Sequence, residues 1–440
     1  MNVAVIALGK IGLPLAVQIA SKGHRVHGVD INEHTVAQVN DGVEPFPGEA
    51  ELDVKLKQVI DDGMLSATTD GVAAVAASEV VIVVVPLMVD EASVPDFGAM
   101  DAATATIAEG LQPGTLVSYE TTLPVHTTRQ RFGPMLADAS GLALGEDFFL
   151  CHSPERVYSG RIFSDLRRYP KLVGGTDPAS TQRSIEFYQA ILDFDERDDL
   201  PRPNGVWDLG SAEAAELAKL METTYRDVNI ALANEFAIFS DRVGVDVYKV
   251  IEAANSQPFS HVHQPGIAVG GHCIPVYPRF YLSNHPDALI PAHSRDVNES
   301  MPAYAVARLA DELGDLTGLK VAVLGLAYRG GVKETAFSGA IPTIDALRAQ
   351  GAVPVLHDPL YDDEEIASFG VDAYHFGDTV DAAIVQANHE EYRSLGPDSM
   401  PGIRALVDGR AFVEPDAWTD VPRQVLGAPR GGLGAATGDR

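Results

Sequence analysis

The sequence predicts an α/β protein built as two Rossmann-like, doubly wound domains joined by a long central helix. Three observations carry this reading. Strand-like and helix-like stretches alternate from the N-terminus, with a glycine-containing loop between the first strand and the first helix. The stretch KVAVLGLAYRGG, which begins at Lys320, repeats the opening NVAVIALGKIG when Val321 is aligned with Val3. Between the two, residues 212–242 hold almost no helix breaker.

The elements follow in order. Residues 3–8 read as a strand, 13–22 have helical spacing, and 25–29 form a second strand ending at Asp30. The β-branched or apolar runs 80–85, 116–119 and 148–151 are further strands, so the sheet should be parallel and covered on both faces. The Pro- and Gly-rich PRPNGVWDLGS (201–211) punctuates the chain. Beyond it, Leu217, Leu220, Met221, Val228, Leu232, Phe236 and Phe239 recur near a helical period. A helix of about 30 residues would be about 45 Å long, which suits a spine between domains and a homodimer interface. Alternation resumes at 341–349, 353–357 and 382–386. The expected organisation is a first Rossmann domain over 1–203, a central helical domain over 204–315, a second Rossmann-like domain over 316–426, and a disordered Gly- and Ala-rich tail over 427–440.

Charge narrows the function classes. The 440 residues include 62 acidic and 32 basic side chains, a net of −30. Such a surface repels nucleic acid and anionic membrane, so neither is expected as a partner. An anionic substrate would need locally placed cations or helix N-termini. Two cysteines cannot build a disulfide framework, and the scattered histidines offer no ligand spacing, so no metal is expected. The N-terminus has no basic stretch before its apolar run, and the longest apolar run, 80–89, is too short to span a bilayer. The expectation is a soluble, cytoplasmic protein.

The first loop reads Ala7-Leu8-Gly9-Lys10-Ile11-Gly12, a G-x-G-x-x-G pattern with alanine in the first glycine position. Gly9 would let the backbone approach a pyrophosphate, and Gly12 would let the helix pack closely on the strand. The helix that starts at Leu13-Pro14 would point its N-terminus at the phosphates. Asp30 stands where a carboxylate binds a ribose 2′-hydroxyl, which favours NAD over NADP. Alanine at position 7 predicts a slightly altered turn.

The two cysteines differ in setting. Cys151 lies in a β-run and reads as a small buried hydrophobe. Cys273 lies in GGHCIPVYP (270–278), a glycine-rich turn that leaves a thiol approachable. NAD with a nucleophilic cysteine suggests an aldehyde-level oxidation: the thiol adds to an aldehyde, hydride leaves, and water cleaves the thioester.

Taken together, these motifs resemble the UDP-glucose/GDP-mannose dehydrogenase family of nucleotide-sugar 6-dehydrogenases. The resemblance runs from Met1 to about Pro415. It is carried by the loop continued as Gly-Leu-Pro (12–14), ETTLP (120–124), SPERVYSG (153–160), LVGG (172–175), AELAKL (215–220), RDVNIALANE (226–235), GGHCIPV (270–276), LGLAY (324–328), HDP (357–359) and DGR (408–410). It implies a four-electron oxidation of a sugar C6 alcohol to a carboxylate with two NAD in turn. By resemblance, Cys273 is the nucleophile, Lys219 stabilises the oxyanion, Glu155 assists proton transfer or thioester hydrolysis, and Thr122 positions a water and touches the nicotinamide. Gly9, Lys10, Ile11, Gly12, Asp30, Pro86 and Thr122 would hold NAD. Glu155, Arg156, Val157, Lys219, Asn229, Gly270, Tyr328, Arg329 and Arg410, with Asp408 beside them, would hold the nucleotide sugar.

Several family letters are changed. Tyr277 replaces a catalytic aspartate four residues after the nucleophile, and a phenol with a pKa near ~10 is a poor base at neutral pH. Thr223 replaces an asparagine, Leu87 a threonine, and Phe259 and Ala336 each an arginine, while Arg329 replaces a lysine and keeps its charge. Two alternatives stand beside the dehydrogenase. One is a catalytically impaired homologue that binds NAD and a nucleotide sugar in a regulatory role. The other is a 3-hydroxyacid-type dehydrogenase, which would need neither the cysteine turn nor a second Rossmann domain. The motifs lean toward UDP-N-acetylhexosamines and leave UDP- or dTDP-glucose open.

Overall fold

A computed structural model describes residues 1–429. The predicted tail lies outside the described residues from 430 onward, and within it Gly427 is ordered, donating to Asp241 Oδ1 at 3.1 Å. The chain forms two compact units: Met1–Glu222 with Arg279–Asn284, and Thr223–Pro278 with the chain from His285 onward.

The first unit is built on eight strands: β1 (Asn2–Ile6), β2 (Arg25–Val29), β3 (Leu65–Thr68), β4 (Val80–Val83), β5 (Leu116–Tyr119), β6 (Phe149–His152), β7 (Lys171–Gly175) and β8 (Val206–Asp208). Their order is β8-β7-β6-β5-β4-β1-β2-β3. Every residue of β4, β5 and β7 is buried, as expected for inner strands covered on both faces. Neighbouring strands are parallel except β6 and β7, where His152 faces Gly174 in antiparallel register.

The second unit carries six strands: β9 (Lys320–Leu324), β10 (Val353–His357), β11 (Asp372–Ala373), β12 (Ala382–Val385), β13 (Ala405–Asp408) and β14 (Arg423–Val425). They are all parallel and ordered β11-β10-β9-β12-β13-β14. Both sheets thus contain the 3-2-1-4-5-6 order of a doubly wound fold, as the repeated strand motif predicts. The breaker-free stretch is one helix, Ala212–Val243, 32 residues long, which links the two units. Within the second unit its Asp227 binds Arg295 at 2.6 Å and Asn298 at 2.8 Å, fastening it to the helix Leu289–Leu313.

The internal repeat extends to hydrogen bonds. After β1, Ala7 turns left-handed (φ 77°), donates to Val29 O at 2.8 Å, and Leu8 N–H reaches Asp30 Oδ2 at 2.9 Å. After β9, Gly325 turns left-handed (φ 110°) and donates to His357 O at 2.7 Å, and Leu326 and Ala327 N–H both reach Asp358 Oδ2 at 2.8 Å. The first strand ends at Ile6 rather than at residue 8 because of this turn. Gly325 has no substitute, since a Cβ there would lie 2.4 Å from the Ala387 Cβ. Ala7 keeps its Cβ and accepts about 1 kcal/mol of left-handed strain, so the turn expected to be altered is instead kept, at a cost in strain.

Asp358 is buried and also receives His389 Nε2 at 3.0 Å. Burial works against its charge, but His389 and the backbone N–H groups outweigh it and hold the carboxyl below its usual range. Asp358→Ala strands two buried N–H donors and should destabilise the second unit by about 3 kcal/mol. Denaturant titration checks this, and Asp358→Asn, which keeps an acceptor, should be milder.

Candidate active site

In a parallel sheet the loops that follow the strands share one edge, where ligands bind. In the first unit that edge collects most of the residues expected to hold NAD. Gly9, Lys10 and Ile11 form the turn after β1, Gly12 opens the helix Gly12–Ser21, Pro86 follows β4, and Thr122 follows β5. Pro86 is exposed and Thr122 is buried.

Two of the loop glycines are explained by different things. A Cβ on Gly12 would sit 1.9 Å from the Ala7 carbonyl oxygen, so the protein itself requires that glycine. A Cβ on Gly9 would meet no protein atom within 4 Å. Nothing in the protein demands glycine at position 9, whereas a phosphate pressed against the backbone would. With the helix N-terminus beside it and Asp30 at the end of β2, the loop fits a dinucleotide. Asp30 Oδ1 accepts Asn32 N–H at 2.9 Å and Oδ2 accepts Leu8 N–H, which orients the carboxylate and leaves lone pairs for a hydroxyl.

Glu155 is not solitary. Its Oε2 lies 2.9 Å from Lys171 Nζ, and the same ammonium lies 2.6 Å from Glu120 Oε2. Glu120 Oε1 accepts the Tyr188 hydroxyl at 2.7 Å, which meets Ser118 Oγ at 2.7 Å. Glu155 Oε1 accepts Arg156 N–H at 2.6 Å. The antiparallel turn of β7 creates this cluster: a strand entering from the opposite end places its first residue, Lys171, at the carboxyl edge of β6. Burial pushes Glu120 up to about 7, with Lys171 offsetting part of the rise and the Glu155 charge adding to it. Burial also opposes the Glu155 charge, but Lys171 outweighs it and holds Glu155 below its usual range. Lys171 is raised, because the two carboxylates more than offset its burial. Sequence reasoning missed Lys171, Glu120 and Tyr188 because they are distant in sequence and meet only through strand pairing. The local signals were that Glu120 opens the motif ETTLP and Lys171 directly precedes LVGG, whereas Tyr188 borders no motif.

Other expected residues have structural partners. Arg156 Nε binds Glu222 at 2.8 Å, and Val157 packs against the first unit's core. Lys219 is buried, one turn beyond Glu216, whose carboxylate accepts His126 N–H at 2.7 Å and Thr128 N–H at 2.8 Å.

In the second unit the cysteine turn is built against the sheet. Gly271 (φ 91°) donates to Ala336 O at 2.8 Å, and Ile267 N–H reaches Gly409 O at 3.0 Å. A Cβ on Gly270 would lie 2.5 Å from the Tyr328 Cβ, and one on Gly271 would lie 3.2 Å from the Tyr328 ring. Gly270 therefore makes room for Tyr328 and the Phe337 carbonyl, and Gly271 is required by its left-handed backbone. Cys273 itself is exposed, whereas Cys151 is buried and its thiol is pushed up to about 11 by burial. The Cys273 carbonyl accepts Tyr277 N–H at 2.9 Å, so the tyrosine sits one turn from the thiol at the start of the helix Tyr277–Asn284.

Asn229 is half-buried and braces the backbone. Its amide donates to His261 O at 2.8 Å and accepts His263 N–H at 2.8 Å, tying down the segment that leads to the cysteine. Asp408 is likewise engaged, accepting Phe412 and Val413 N–H at 2.9 Å and Arg423 at 2.9 Å. Arg410 differs: its guanidinium donates to the carbonyls of Gln386 at 2.6 Å and Ala268 at 3.1 Å, both neutral. Burial lowers it to about 10, which leaves it cationic at neutral pH and suited to an anionic ligand. Arg329 Nε contacts the Tyr328 hydroxyl at 3.1 Å.

Three family models match the chain, all of the UDP-glucose/GDP-mannose dehydrogenase family: its NAD binding domain over residues 1–192, its central domain over 213–299 and its UDP binding domain over 322–415. A UDP-N-acetyl-D-mannosamine dehydrogenase of Pyrococcus horikoshii is 36% identical over 429 residues, covering 94% of this chain and 96% of that one. An NDP-N-acetyl-D-galactosaminuronic acid dehydrogenase of Ralstonia nicotianae is 31% identical over 427 residues, covering 93% and 96%. The solved structure of the UDP-D-ManNAc dehydrogenase from Pyrococcus horikoshii superposes with a TM-score of 0.85 at 33% identity, covering 97% of this chain and 99% of that one.

The glycine geometry separates ligand binding from folding. Gly9→Ala should leave the melting temperature unchanged while weakening NAD binding by about tenfold or more. Gly12→Ala should lower stability by about 2 kcal/mol or more through its clash with Ala7. Paired thermal melts and fluorescence titrations with NAD check both.

Proposed function

The chain belongs to the UDP-glucose/GDP-mannose dehydrogenase family and is an NAD-dependent nucleotide-sugar dehydrogenase, and on that premise we propose that it oxidises the C6 alcohol of a UDP-N-acetylhexosamine to the carboxylate through a covalent intermediate on Cys273. The observation that carries the covalent route is the exposed Cys273 thiol on a glycine turn packed against Tyr328. The N-acetylated sugars named for the two relatives support the substrate class.

Bound NAD supplies a hydride acceptor, once at the alcohol and once at the aldehyde level. Gly9, Lys10, Ile11, Gly12, Asp30, Pro86 and Thr122 hold it. Glu155 takes the proton released as the alcohol becomes an aldehyde. Cys273 Sγ adds to the aldehyde carbon, and Lys219 offsets the negative charge that develops on the oxygen. After the second hydride leaves, a water held by Thr122 and deprotonated by Glu155 displaces the thiolate. One sugar alcohol, two NAD and one water thus give one carboxylate, two NADH and three protons. Tyr277 stands one turn from the thiol as a hydrogen-bond donor where the family resemblance implies an aspartate, which shifts the proton work to Glu155. Arg329 and Arg410 meet the diphosphate, and Gly270 and Tyr328 shape the floor beneath the sugar nucleotide. The replacement of the aspartate by Tyr277 favours a second reading, a catalytically impaired binder of NAD and nucleotide sugar.

The central helix also bears an exposed apolar seam. Met221, Tyr225, Leu232, Phe236, Phe239 and Val243 are between 44% and 62% exposed and recur at spacings of three, four or seven. We assign this seam to a second copy of the chain, since a helical stripe of this length is complementary to itself about a two-fold axis. Among the described residues, no helix is long and apolar enough to cross a membrane.

With UDP-N-acetylhexosamines, two NADH should form per sugar, and Cys273→Ser should abolish formation of the acid. NAD binding without turnover of any UDP-, dTDP- or GDP-sugar would overturn the dehydrogenase reading in favour of the binder. Light scattering should give the mass of a dimer, and the pair Met221→Glu and Phe239→Glu should give a monomer. A wild-type monomer at micromolar concentration would refute the seam.

A further inference from the structure

The Glu120–Lys171–Glu155 cluster holds one more carboxylate than its cations can match. Glu120 is 1% exposed and Lys171 5%, while the Glu155 side chain is 12% exposed. The groups that face it can be named element by element. From β5 come Ser118 and, just beyond the strand, Glu120; from β6, Cys151 and His152; from the helix Pro178–Ile191, Tyr188. The neighbouring Arg156 guanidinium is turned to Glu222. His152 has no hydrogen-bond partner on either ring nitrogen and is lowered to about 3 by burial, then by Lys171, so it stays neutral. Cys151 and Tyr188 are both pushed up by burial, so they remain neutral too. A buried carboxylate and a partly exposed one therefore share a single ammonium, a site that binds a proton readily and titrates as a unit.

We propose that Glu120 is a proton store behind Glu155, with Lys171 as the bridge. A proton arriving at the partly exposed Glu155 is passed on as Lys171 gives one of its own protons to Glu120 Oε2 and takes the new one from Glu155 Oε2. Lys171 begins and ends as an ammonium, Glu155 returns to carboxylate, Glu120 becomes a carboxylic acid, and the charge balances. The Tyr188 hydroxyl holds the far oxygen of Glu120, and Lys171 lies 4.8 Å from the centre of the Tyr188 ring, which keeps the ammonium in place. Glu155 is thereby restored as a base between the proton-releasing steps. Glu120 and Lys171 are positioning residues. Their benefit to catalysis rests on the role of Glu155 proposed above, but the store itself needs no substrate.

Infrared difference spectra of the full chain between pH 8 and pH 6 test the store. Glu216, raised to about 7 by burial, contributes its own carboxylic-acid band in this range, so the readout is the difference between variants. Wild type should gain a band that Glu120→Gln lacks, and Tyr188→Phe should keep that band but move it to higher frequency, because its carbonyl loses a hydrogen bond. Identical wild-type and Glu120→Gln spectra, with both proteins folded by circular dichroism, would overturn the proposal. So would a Tyr188→Phe spectrum that matches wild type. In turnover, Glu120→Gln leaves Glu155 alone with Lys171 and more acidic. Its kcat should fall about tenfold and the acid limb of its pH profile should move to lower pH, with KM for NAD unchanged. Failure to oxidise any nucleotide sugar would count against the proposed function and leave the spectral test intact.

Discussion

A carboxylate at the end of a second strand, holding the backbone turn that follows the first, is the contact on which both halves of this protein depend. Asp30 holds Leu8 N–H, and Asp358 holds the N–H groups of Leu326 and Ala327. In a parallel sheet the chain must leave each strand and start a helix within a few residues. The left-handed residue supplies the bend, and the carboxylate satisfies the donors that the bend would otherwise strand. The two turns then diverge. In the first unit Gly9 faces open space beside a helix N-terminus, which suits a dinucleotide. In the second, Gly325 and the residues after it are packed under Ala387, and the neighbouring surface is given to the cysteine turn.

That cysteine turn shows how backbone space can be set by a distant ring. Gly270 and Gly271 sit on Tyr328, and the segment before them is tied by Asn229, by Asn255, which both donates to Val262 O and accepts its N–H, and by Asn234, which accepts Gly266 N–H at 2.9 Å. Amide side chains offer a donor and an acceptor at once, so each can replace the missing strand partner of an irregular segment. The thiol is exposed because the backbone around it is held from below. By the same logic Asn229 and Asp408 brace the backbone, while the Arg410 guanidinium donates to two neutral carbonyls.

The Glu155 cluster depends on one reversed strand. Had β7 run parallel to β6, Lys171 would stand at the opposite edge of the sheet, and Glu120 and Glu155 would be buried without a cation. Two adjacent carboxylates of that kind could not both stay ionised. The reversal therefore determines the charge available next to Glu155.

The sequence by itself determined the architecture, the NAD loop and the glycine-rich cysteine turn, because each is written in adjacent letters. β-Branched runs mark the inner strands, glycine spacing marks the phosphate turn, and the repeat of NVAVI as KVAVL marks the second sheet. Short strands such as Leu65–Thr68 and Arg423–Val425 escaped notice because pairing with a formed sheet, rather than composition, makes them strands. Tertiary structure alone decided which charges meet. Lys171, Glu120 and Tyr188 come from three separate stretches, and no local pattern records that β7 runs backwards. It also decided that Ala7 takes the left-handed turn of the missing glycine, since the Val29 carbonyl and the Asp30 carboxylate hold it there. Local sequence sets backbone preference over a few residues, but electrostatics and hydrogen bonding depend on distance in space, which only the folded chain supplies.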